Sequence, residues 1–310
     1  RFWRIIEKYK VNIFYTAPTA IRSLASGDLS WVHSHDLGSL KTLGTVGEPI
    51  NLEAWQWYSE HIGQGQCPIV DTWWQTETGG IMISNLAGVS KDIPTFATLP
   101  LPGIQPCLMD EAGNEIATLE AEGRLCIQFP WPSMARTIYG NHQRFADTYY
   151  RAFEGKYFTG DGAKRDKNGN YRITGRVDDV VIVSGHNLGT AEIENAINEH
   201  PLIAESAVVG YPHPIKGHAI YAFVTLRSPK HEDASVGIKI EINSLVTSLI
   251  GPIAKPEKIQ FTAGLPKTRS GKIMRRILRK IAEGNTESLG DISTLLNPDC
   301  VEQIIQGASI

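Results

Sequence analysis

The stretch CPIVDTWWQTETGG, residues 67–80, passes from an apolar run into a polar loop that ends in two glycines. A short apolar run followed by such a loop predicts a buried strand with ligand-binding groups at its carboxyl end. The same order occurs twice before it, in VNIFYTAPT (11–19) and in LKTLGTVGEPI (40–50). Helical spacing in residues 2–10 precedes the first of these runs, and a second helical segment at 51–63 separates the last two, so the sequence predicts an α/β region with a mostly parallel sheet.

Residues 95–177 have a different character, because prolines interrupt every helical pattern and the strands are short. Asn168–Gly169 lies between two such strands and is a strong hairpin signal. We predict a small antiparallel β-rich subdomain here, which completes a large domain over residues 1–177.

Residues 178–310 predict a small α+β domain. Its last helix is expected to begin near Lys272, with apolar residues inward and four basic residues outward. These four residues are Arg275, Arg276, Arg279 and Lys280. Another helix is expected to be capped by Thr190 and to stop before Pro201.

The composition narrows the possible classes of protein. The chain of 310 residues is 42% hydrophobic and 20% charged, which is typical of a packed globular protein. Its net charge of −3 argues against a nucleic-acid-binding protein. Four widely spaced cysteines favour a reducing, cytoplasmic location, and no apolar run is long enough for a membrane span. The chain enters a predicted helix directly at Arg1, so we interpret it as part of a longer protein.

The loop at 71–80 contains groups that suit a nucleotide. Gly79 and Gly80, like Gly47 in the earlier loop, allow backbone N–H groups to approach a ligand closely. Thr76 can donate to phosphate oxygens, and Glu77 is a hard oxygen ligand suited to Mg²⁺. An ordinary polar turn with a capping threonine explains the same residues equally well.

Two other regions contain groups that could bind a ligand, and the same groups also have a purely structural explanation. Asp161 and Arg176 could bracket a ribose and its phosphate, although a surface ion pair is the simpler reading. The segment SGHNLGTAEIE (184–194) opens a helix whose N-terminus could bind an anion, although an ordinary cap is sufficient. His200 is a candidate metal ligand, but a lone histidine is more often structural.

The most basic stretch of the chain is LPKTRSGKIMRR, residues 265–276, in which five of twelve residues are Lys or Arg. Binding of single-stranded nucleic acid would require stacking aromatics, and only Phe261 is nearby. Lys272 follows Gly271 directly, so a turn could direct its charge toward a phosphate or a carboxylate. We therefore expect neither a nucleic-acid partner nor a membrane partner.

The order of these segments resembles the adenylate-forming acyl-CoA synthetases over essentially the whole chain. The resemblance implies a partial α/β large domain with a β-rich subdomain, followed by a small mobile α+β domain. It implies that a carboxylic acid and MgATP form an acyl-adenylate and pyrophosphate, and that CoA then yields acyl-CoA and AMP. The resemblance is to members that activate acetate. Activation of propionate and a non-catalytic docking or regulatory module are the alternatives.

The resemblance also implies roles for individual residues. Lys272 would contact the acyl carboxylate and the α-phosphate, Glu77 the Mg²⁺ that accompanies ATP, and Asp178 would be the hinge. Trp74 and Val46 would line the acyl pocket, where an indole admits only two or three carbons. The resemblance implies that ATP or AMP is bound by Gly47, Glu48, Pro49, Asp71, Thr72, Trp73, Trp74, Gln75, Thr76, Asp161, Arg176 and Asn187. CoA would be bound by Ser184, Gly185 and Thr247.

Two positions depart from the family pattern, and one segment is missing. Asn187 and Thr247 stand where the family usually or often has arginine, which weakens the expected contacts with phosphates. About half of the family's chain, including the loop that holds the β- and γ-phosphates, has no counterpart here. We expect this chain alone to be inactive in adenylation. The family's lysine is a target of acetylation, so a lysine acetyltransferase and deacetylase acting on Lys272 are expected partners.

Overall fold

The computed structural model describes residues 1–184, 186–228, 235–269, 271–287, 289–290, 292–293 and 295–308, without the side chains of Asn187 and Ser235. The chain divides into two units, Arg1–Asp178 and Asp179–Ile310. None of the described helices has the length and apolar character needed to cross a membrane.

The first sheet of unit 1 is the predicted α/β region. Strands β1 (Ile13–Thr16), β2 (Thr42–Thr45) and β3 (Ile69–Trp73) are parallel neighbours, and β4 (Ile83–Ser84) runs antiparallel to β3. The helices of this region are α1 (Phe2–Tyr9), α2 (Pro18–Ala25), α3 (Ser30–His33) and α4 (Leu52–Trp57), the last continuing as a π-helical turn at Tyr58–Ile62. The prediction of a parallel sheet is confirmed, so the loops after β2 and β3 leave from the same edge.

The second sheet of unit 1 is antiparallel throughout, as the sequence predicted. Its strands lie in the order β5 (Pro106–Met109), β6 (Ala121–Ile127), β7 (Tyr157–Arg165) and β8 (Tyr171–Arg176). The predicted hairpin joins β7 to β8. Helix α5 (His142–Tyr149) precedes β7 and was not predicted. Cys107 and Cys126 face each other across β5 and β6, and both are buried.

Unit 2 contains one mixed sheet. Strands β9 (Val180–Val183), β10 (His186–Gly189), β11 (Ile203–His213) and β12 (Gly217–Leu226) are antiparallel in the order β10-β9-β12-β11, and β13 (Lys258–Phe261) pairs parallel with β12. Its helices are α6 (Thr190–Asn198), α7 (Ser235–Leu249), α8 (Arg275–Ala282) and α9 (Asp299–Gly307). The combination confirms the α+β prediction for this part of the chain.

Three predicted helix details are wrong. Thr190 is the first residue of α6, and Gly189 occupies the cap position. The helix expected near Lys272 begins at Arg275, because residues before it form a turn with backbone hydrogen bonds of its own. That helix is not the last one, since α9 follows it and packs Val301 and Ile304 into the core that contains Ile277 and Ile281.

Candidate functional site

In the loop after β2, the backbone rather than a charged side chain is available to a ligand, because the one charged residue, Glu48, already has hydrogen-bond partners. Gly47 has φ +97° in the left-handed region. The Glu48 carboxylate accepts hydrogen bonds from the Thr19 backbone N–H (2.6 Å), the Thr19 hydroxyl and the Arg22 guanidinium (3.0 Å). Glu48 therefore ties this loop to the first turn of α2, where the partial positive charge favours a carboxylate. Val46 and Pro49 are half-buried beside it.

Two residues expected to hold the nucleotide have side chains inside the sheet. The Asp71 carboxylate accepts a hydrogen bond from the Thr45 hydroxyl (2.6 Å), and burial raises the pKa of Asp71 to about 6. The Thr72 hydroxyl donates to the Thr45 carbonyl (2.9 Å) and contacts the Tyr15 hydroxyl (2.6 Å). Their position in β3 is what places the following residues at the sheet edge.

Trp74 lies at that edge and is held by Tyr15, the residue that also contacts Thr72. Its indole N–H donates to the Tyr15 hydroxyl (3.3 Å), which in turn contacts Thr72. The Trp74 side chain is 40% exposed, unlike the buried Trp73 one position earlier. The alternation of a strand thus points one indole inward and leaves the other at the rim, where it can contact a small ligand.

Asp161 is the centre of a polar cluster. Its carboxylate accepts from the Trp73 indole N–H (3.0 Å) and from the Gln75 amide (2.9 Å), and Arg176 Nη1 lies 3.6 Å from its second oxygen. The Asp161 side chain is buried, whereas both members of an ordinary surface ion pair are exposed to solvent. The sequence placed Asp161 just past a strand, but it lies within β7, directly opposite Arg176 in β8.

Glycine is required next to this cluster. Gly160 has φ +73°, and a Cβ built on it would lie 2.6 Å from an Arg176 guanidinium nitrogen. Arg176 also donates to the Thr159 carbonyl (3.2 Å) and to Asp178 (3.1 Å). The guanidinium thus packs over the β7 backbone, and a larger residue at position 160 would displace it.

Glu77 lies on a short 3₁₀ turn, Thr76–Thr78, that is fixed by residues distant in sequence. The turn ends at Gly79, which has φ +69° and whose added Cβ would lie 2.2 Å from the Ser133 carbonyl oxygen. The Trp131 indole N–H donates to the Thr78 carbonyl (2.8 Å). Thr76 is exposed and Glu77 is half-buried, so both are accessible from the loop surface.

Tyr149 and Tyr157 were missed by the sequence reading. The Tyr149 hydroxyl donates to the Glu77 carboxylate (2.5 Å), and its ring stacks on that of Tyr157 at 5.2 Å and 11°. Desolvation first, and then Glu77, raise the pKa of Tyr149 to about 12. The Tyr157 hydroxyl donates to Gln75 Oε1 (3.1 Å). The two contacts join residues that are separated by 72 and by 82 positions in the sequence, so no local pattern around Tyr149 or Tyr157 indicates them.

The residues around Glu77 fit a magnesium ion that arrives with a nucleotide. One Glu77 oxygen is bonded to Tyr149, and the described residues contain no group of three or more His, Cys, Asp or Glu side chains arranged to hold a metal. Mg²⁺ commonly uses one or two carboxylates together with substrate phosphates and water, rather than a cage made only of protein.

The residues expected to bind CoA are all in unit 2. Ser184 is exposed at the turn after β9, has φ +49°, and donates its N–H to the Lys216 carbonyl (2.9 Å). The Thr247 hydroxyl donates to the Asn243 carbonyl of its own helix (2.7 Å). Gly185 and the side chain of Asn187 lie outside the described residues.

His200 does not have the surroundings of a metal ligand. It is buried, its Nε2 lies 2.8 Å from Glu241, and its Nδ1 accepts from the Leu202 N–H (3.3 Å). Both ring nitrogens are therefore engaged in contacts that join α6, the following turn and α7. The structure supports the structural reading of this histidine.

Most of the basic run is paired, which corrects the expectation that its arginines form a solvated face. Lys267 contacts Glu205 at 2.6 Å, Arg275 contacts Glu194 at 2.5 Å, and Arg279, in the helix that follows, contacts Asp179 at 2.8 Å. Arg276 is exposed but donates to the Leu289 carbonyl (2.5 Å). These side chains hold unit 2 together rather than forming a free basic surface.

Lys272 differs from Lys267 and Arg275 and, like Arg269 in the same turn, is exposed. Its side chain is exposed, and no ion pair to it is found among the described residues. Gly271, with φ +89°, precedes it in a turn that is closed by hydrogen bonds between Thr268 N–H and the Lys272 carbonyl (2.9 Å) and between Lys272 N–H and Thr268 Oγ1 (3.1 Å). The turn therefore fixes the backbone and leaves the ammonium available.

Comparisons with known proteins match both parts of the chain to one family. The family described as AMP-binding enzyme matches residues 1–139, and the AMP-binding enzyme C-terminal domain matches residues 192–272. With both matches in chain order, the protein belongs to the AMP-binding enzymes.

Within that family, the chain is similar to curated proteins named acetyl-coenzyme A synthetase. It is 57% identical to the one from Agrobacterium fabrum over 305 residues, which are 98% of this chain and 46% of that protein. It is 58% identical to the one from Alcanivorax borkumensis over 98% of this chain and 47% of that protein. The chain thus spans about half the length of the curated relatives that it matches.

A solved structure shows the same architecture. The crystal structure of the anthranilate CoA ligase AuaEII in complex with anthranoyl-AMP superposes with a TM-score of 0.79 at 27% identity. The match covers 91% of this chain and 52% of that chain. The α/β and α+β fold class expected from the sequence is therefore confirmed.

Proposed function

We propose that the protein to which this chain belongs activates acetate to acetyl-CoA through an acetyl-adenylate. The observation that carries the proposal is a contrast between two sets of groups. Asp161 and Glu77 lie in a hydrogen-bonded network, whereas the exposed Lys272 ammonium has no ion-pair partner among the described residues. The similarity to acetyl-coenzyme A synthetases over 98% of the chain supports acetate as the substrate. Propionate differs by one methylene, which a pocket distinguishes only about 10–200-fold, so it is the nearest alternative.

In the first step, an acetate oxygen attacks the α-phosphorus of ATP and pyrophosphate leaves. We assign Asp161 and Arg176 to the ribose hydroxyls, because a buried, hydrogen-bonded carboxylate is a rigid acceptor. The segments at Gly47–Pro49 and Asp71–Thr76 would line the nucleotide, and Trp74 with Val46 the acyl group. Mg²⁺ held by Glu77 would neutralise phosphate charge.

Lys272 would stabilise the charge that develops when the two anions meet. A preorganised ammonium acts where charge forms on the α-phosphate, and loss of one such contact typically lowers the rate by about 10²–10³. In the second step, the CoA sulfur attacks the acyl carbon and AMP leaves. Ser184, Gly185 and Thr247 are proposed to meet CoA in that step, and Asp178 is the proposed hinge between the two steps.

Three further proposals follow from the same reading. The exposed and unpaired Lys272 amine suits acetylation by a lysine acetyltransferase, which would remove the charge needed for adenylation. The four cysteines are free and buried, which supports a cytoplasmic location. The chain alone is proposed to be inactive in adenylation, because it corresponds to only 46% of a relative such as that from Agrobacterium fabrum.

Calorimetric titration with AMP propyl ester, a stable acyl-adenylate mimic, tests the assignment of Lys272. We expect Lys272→Ala to weaken binding about 10–100-fold, the range for a charge-assisted hydrogen bond. Arg269→Ala is the matched control, because Arg269 is an exposed cation of the same turn. Equal weakening in both variants would indicate a general charge effect and contradict the assignment. Pyrophosphate release by the isolated chain would contradict its proposed inactivity.

A further inference from the structure

Glu194 is a buried carboxylate that the proposed mechanism leaves unused. It lies on α6 and is 7% exposed. Its Oε1 accepts hydrogen bonds from the Val208 N–H (2.8 Å) and from Arg275 Nε (2.9 Å), and its Oε2 accepts from Arg275 Nη2 (2.5 Å). A buried charge with three donors is fully satisfied, so its surroundings are fixed.

Arg275 occupies a position that is unfavourable for a cation in isolation. It is the first residue of α8, where the partial positive charge of the helix end repels cations. The two parallel hydrogen bonds to Glu194 offset that repulsion and fix the orientation of the guanidinium. The contact with Glu194 thus holds the first residue of α8 against α6.

The segment before α8 is the lysine loop, which we define as residues 266–269 and 271–274. Several of its amides are bonded within the segment, including Met274 N–H to the Pro266 carbonyl (2.8 Å) and Gly271 N–H to the Thr268 carbonyl (2.9 Å). The start of the loop is also bonded to a later segment, because Lys267 N–H donates to Asn297 Oδ1 (3.2 Å) and the Lys267 carbonyl accepts from the Leu296 N–H (2.8 Å). The direction of the loop therefore depends on how its two ends are held.

Both ends of the lysine loop are held by partly buried ion pairs. Lys267 is paired with Glu205 on β11, with side-chain exposures of 18% and 15%. Arg275 is paired with Glu194, with exposures of 19% and 9%. Lys267 contacts both Glu205 oxygens through its single nitrogen, whereas Arg275 contacts the two Glu194 oxygens through two nitrogens, which fixes its orientation. Arg275 is also closer in sequence to Lys272.

We propose that Glu194 is a positioning residue for Lys272, because its bidentate contact with Arg275 holds the end of the lysine loop that lies nearer to Lys272 in sequence. This inference rests on the proposed role of Lys272 in acyl-adenylate formation. Glu194 touches no substrate in this assignment and acts only through Arg275 and the loop.

Hydrogen exchange of the whole chain, followed by mass spectrometry of peptides, tests the positioning without any ligand. We expect Glu194→Gln and Arg275→Gln each to speed exchange in the peptide containing Lys272 about tenfold, because each loses a charge-assisted hydrogen bond. Gln at position 194 retains an acceptor for Val208. The double variant should equal either single variant, since both remove the same contact.

The control is Glu257→Gln, which breaks the ion pair with Lys216 (2.7 Å) in the same unit without touching the lysine loop. It should leave the Lys272 peptide unchanged. Arg275→Lys keeps the charge but loses the bidentate geometry, so it should give a smaller increase than Arg275→Gln and serves if Glu194→Gln fails to fold. Unchanged exchange of the Lys272 peptide in folded variants would overturn the proposal, as would a uniform increase across unit 2.

Binding of AMP propyl ester separates positioning from a general structural effect. Glu194→Gln should weaken binding in the wild-type background and have no further effect in the Lys272→Ala background. Equal weakening in both backgrounds would overturn the proposal. If Lys272→Ala itself leaves binding unchanged, the proposed function of Lys272 fails, while the exchange result still decides whether Glu194 orders the loop.

Discussion

The two units hold their candidate binding groups in opposite ways. In unit 1 the candidate groups are held before any ligand arrives, since Asp161, Gln75 and Glu77 all have hydrogen-bond partners within the unit. In unit 2 the ion pairs engage the neighbours of Lys272 and leave its ammonium exposed. The candidate groups of unit 1 are therefore preorganised, whereas Lys272 keeps its charge available. The comparison predicts that mutation of a candidate group itself will reduce stability in unit 1 and not at Lys272.

The largest loss of stability is expected from Asp161→Ala. The change leaves the Trp73 N–H, the Gln75 amide and the Arg176 guanidinium without their shared acceptor, so we expect unfolding to become easier by about 3 kcal/mol. Urea denaturation of the chain measures this effect. Asp178→Asn is the control, because the Asp178 side chain is 66% exposed and its pair with Arg176 should contribute less than about 1 kcal/mol. Similar losses in both variants would remove the distinction between a buried cluster and a surface pair.

A comparable test concerns the loop that carries Glu77. Gly79→Ala combines an unfavourable left-handed backbone with a contact of 2.2 Å to the Ser133 carbonyl, so we expect a loss of about 2–3 kcal/mol. Gly47→Ala has the same backbone problem but no atom within 4 Å, so the loss should be about 1 kcal/mol. Denaturation of the two variants under one set of conditions checks the order. Equal losses of stability in the two variants would show that the loop at Gly79 shifts to accommodate the alanine side chain.

The next effect depends on pH. The folded-state pKa of Asp71 is raised from 3.8 to about 6, so the folded state holds this proton more tightly than the unfolded state. Its contribution to stability is therefore present below pH 4 and is lost as the pH rises to about 6, with a total of about 1–3 kcal/mol. Asp71→Asn keeps an acceptor for Thr45 and should flatten this part of the pH profile. Urea midpoints at pH 4 and pH 7 test it, and an unchanged slope in the variant would contradict the assignment to Asp71.

The smallest change in stability is expected from Lys272→Ala. An exposed side chain without an ion pair in the described structure should contribute within about 0.5 kcal/mol. Arg275→Ala, three residues later, should destabilise the chain by about 2 kcal/mol or more, because it leaves Glu194 buried and unpaired. Thermal unfolding of both variants makes the comparison. A large loss in Lys272→Ala would mean that this lysine is part of the structural network.

The sequence was sufficient for those features that local patterns determine. Alternating apolar runs predicted β1, β2 and β3 as parallel strands, and Asn168–Gly169 predicted the β7–β8 hairpin. Glu77 could be recognised as a ligand type from its own loop. The order of the motifs indicated Lys272 as a candidate residue. Only the structure shows that Lys267 and Arg275 have ion-pair partners, whereas none is found for Lys272 among the described residues.

Contacts between distant segments could not be predicted in this way. Tyr149 bonds to Glu77 across 72 residues, and Arg275 bonds to Glu194 across 81. The charge pattern of α8 indicated an exposed basic face, because a helical wheel does not show which arginines meet a carboxylate from another element. The tertiary partner decides whether a charged position is solvated or buried.

The opposed cysteines of the second sheet give the chain an internal reporter. Cys107 and Cys126 are buried on neighbouring strands, and burial raises the pKa of Cys126 to about 12, so neither thiol reacts readily while β5 and β6 remain paired. Alkylation therefore requires local opening of this sheet, and its rate measures how often the strands separate. Because Cys67 and Cys300 are free and buried as well, mapping which thiol has reacted would report the stability of the sheet that carries Asp161, without a denaturant.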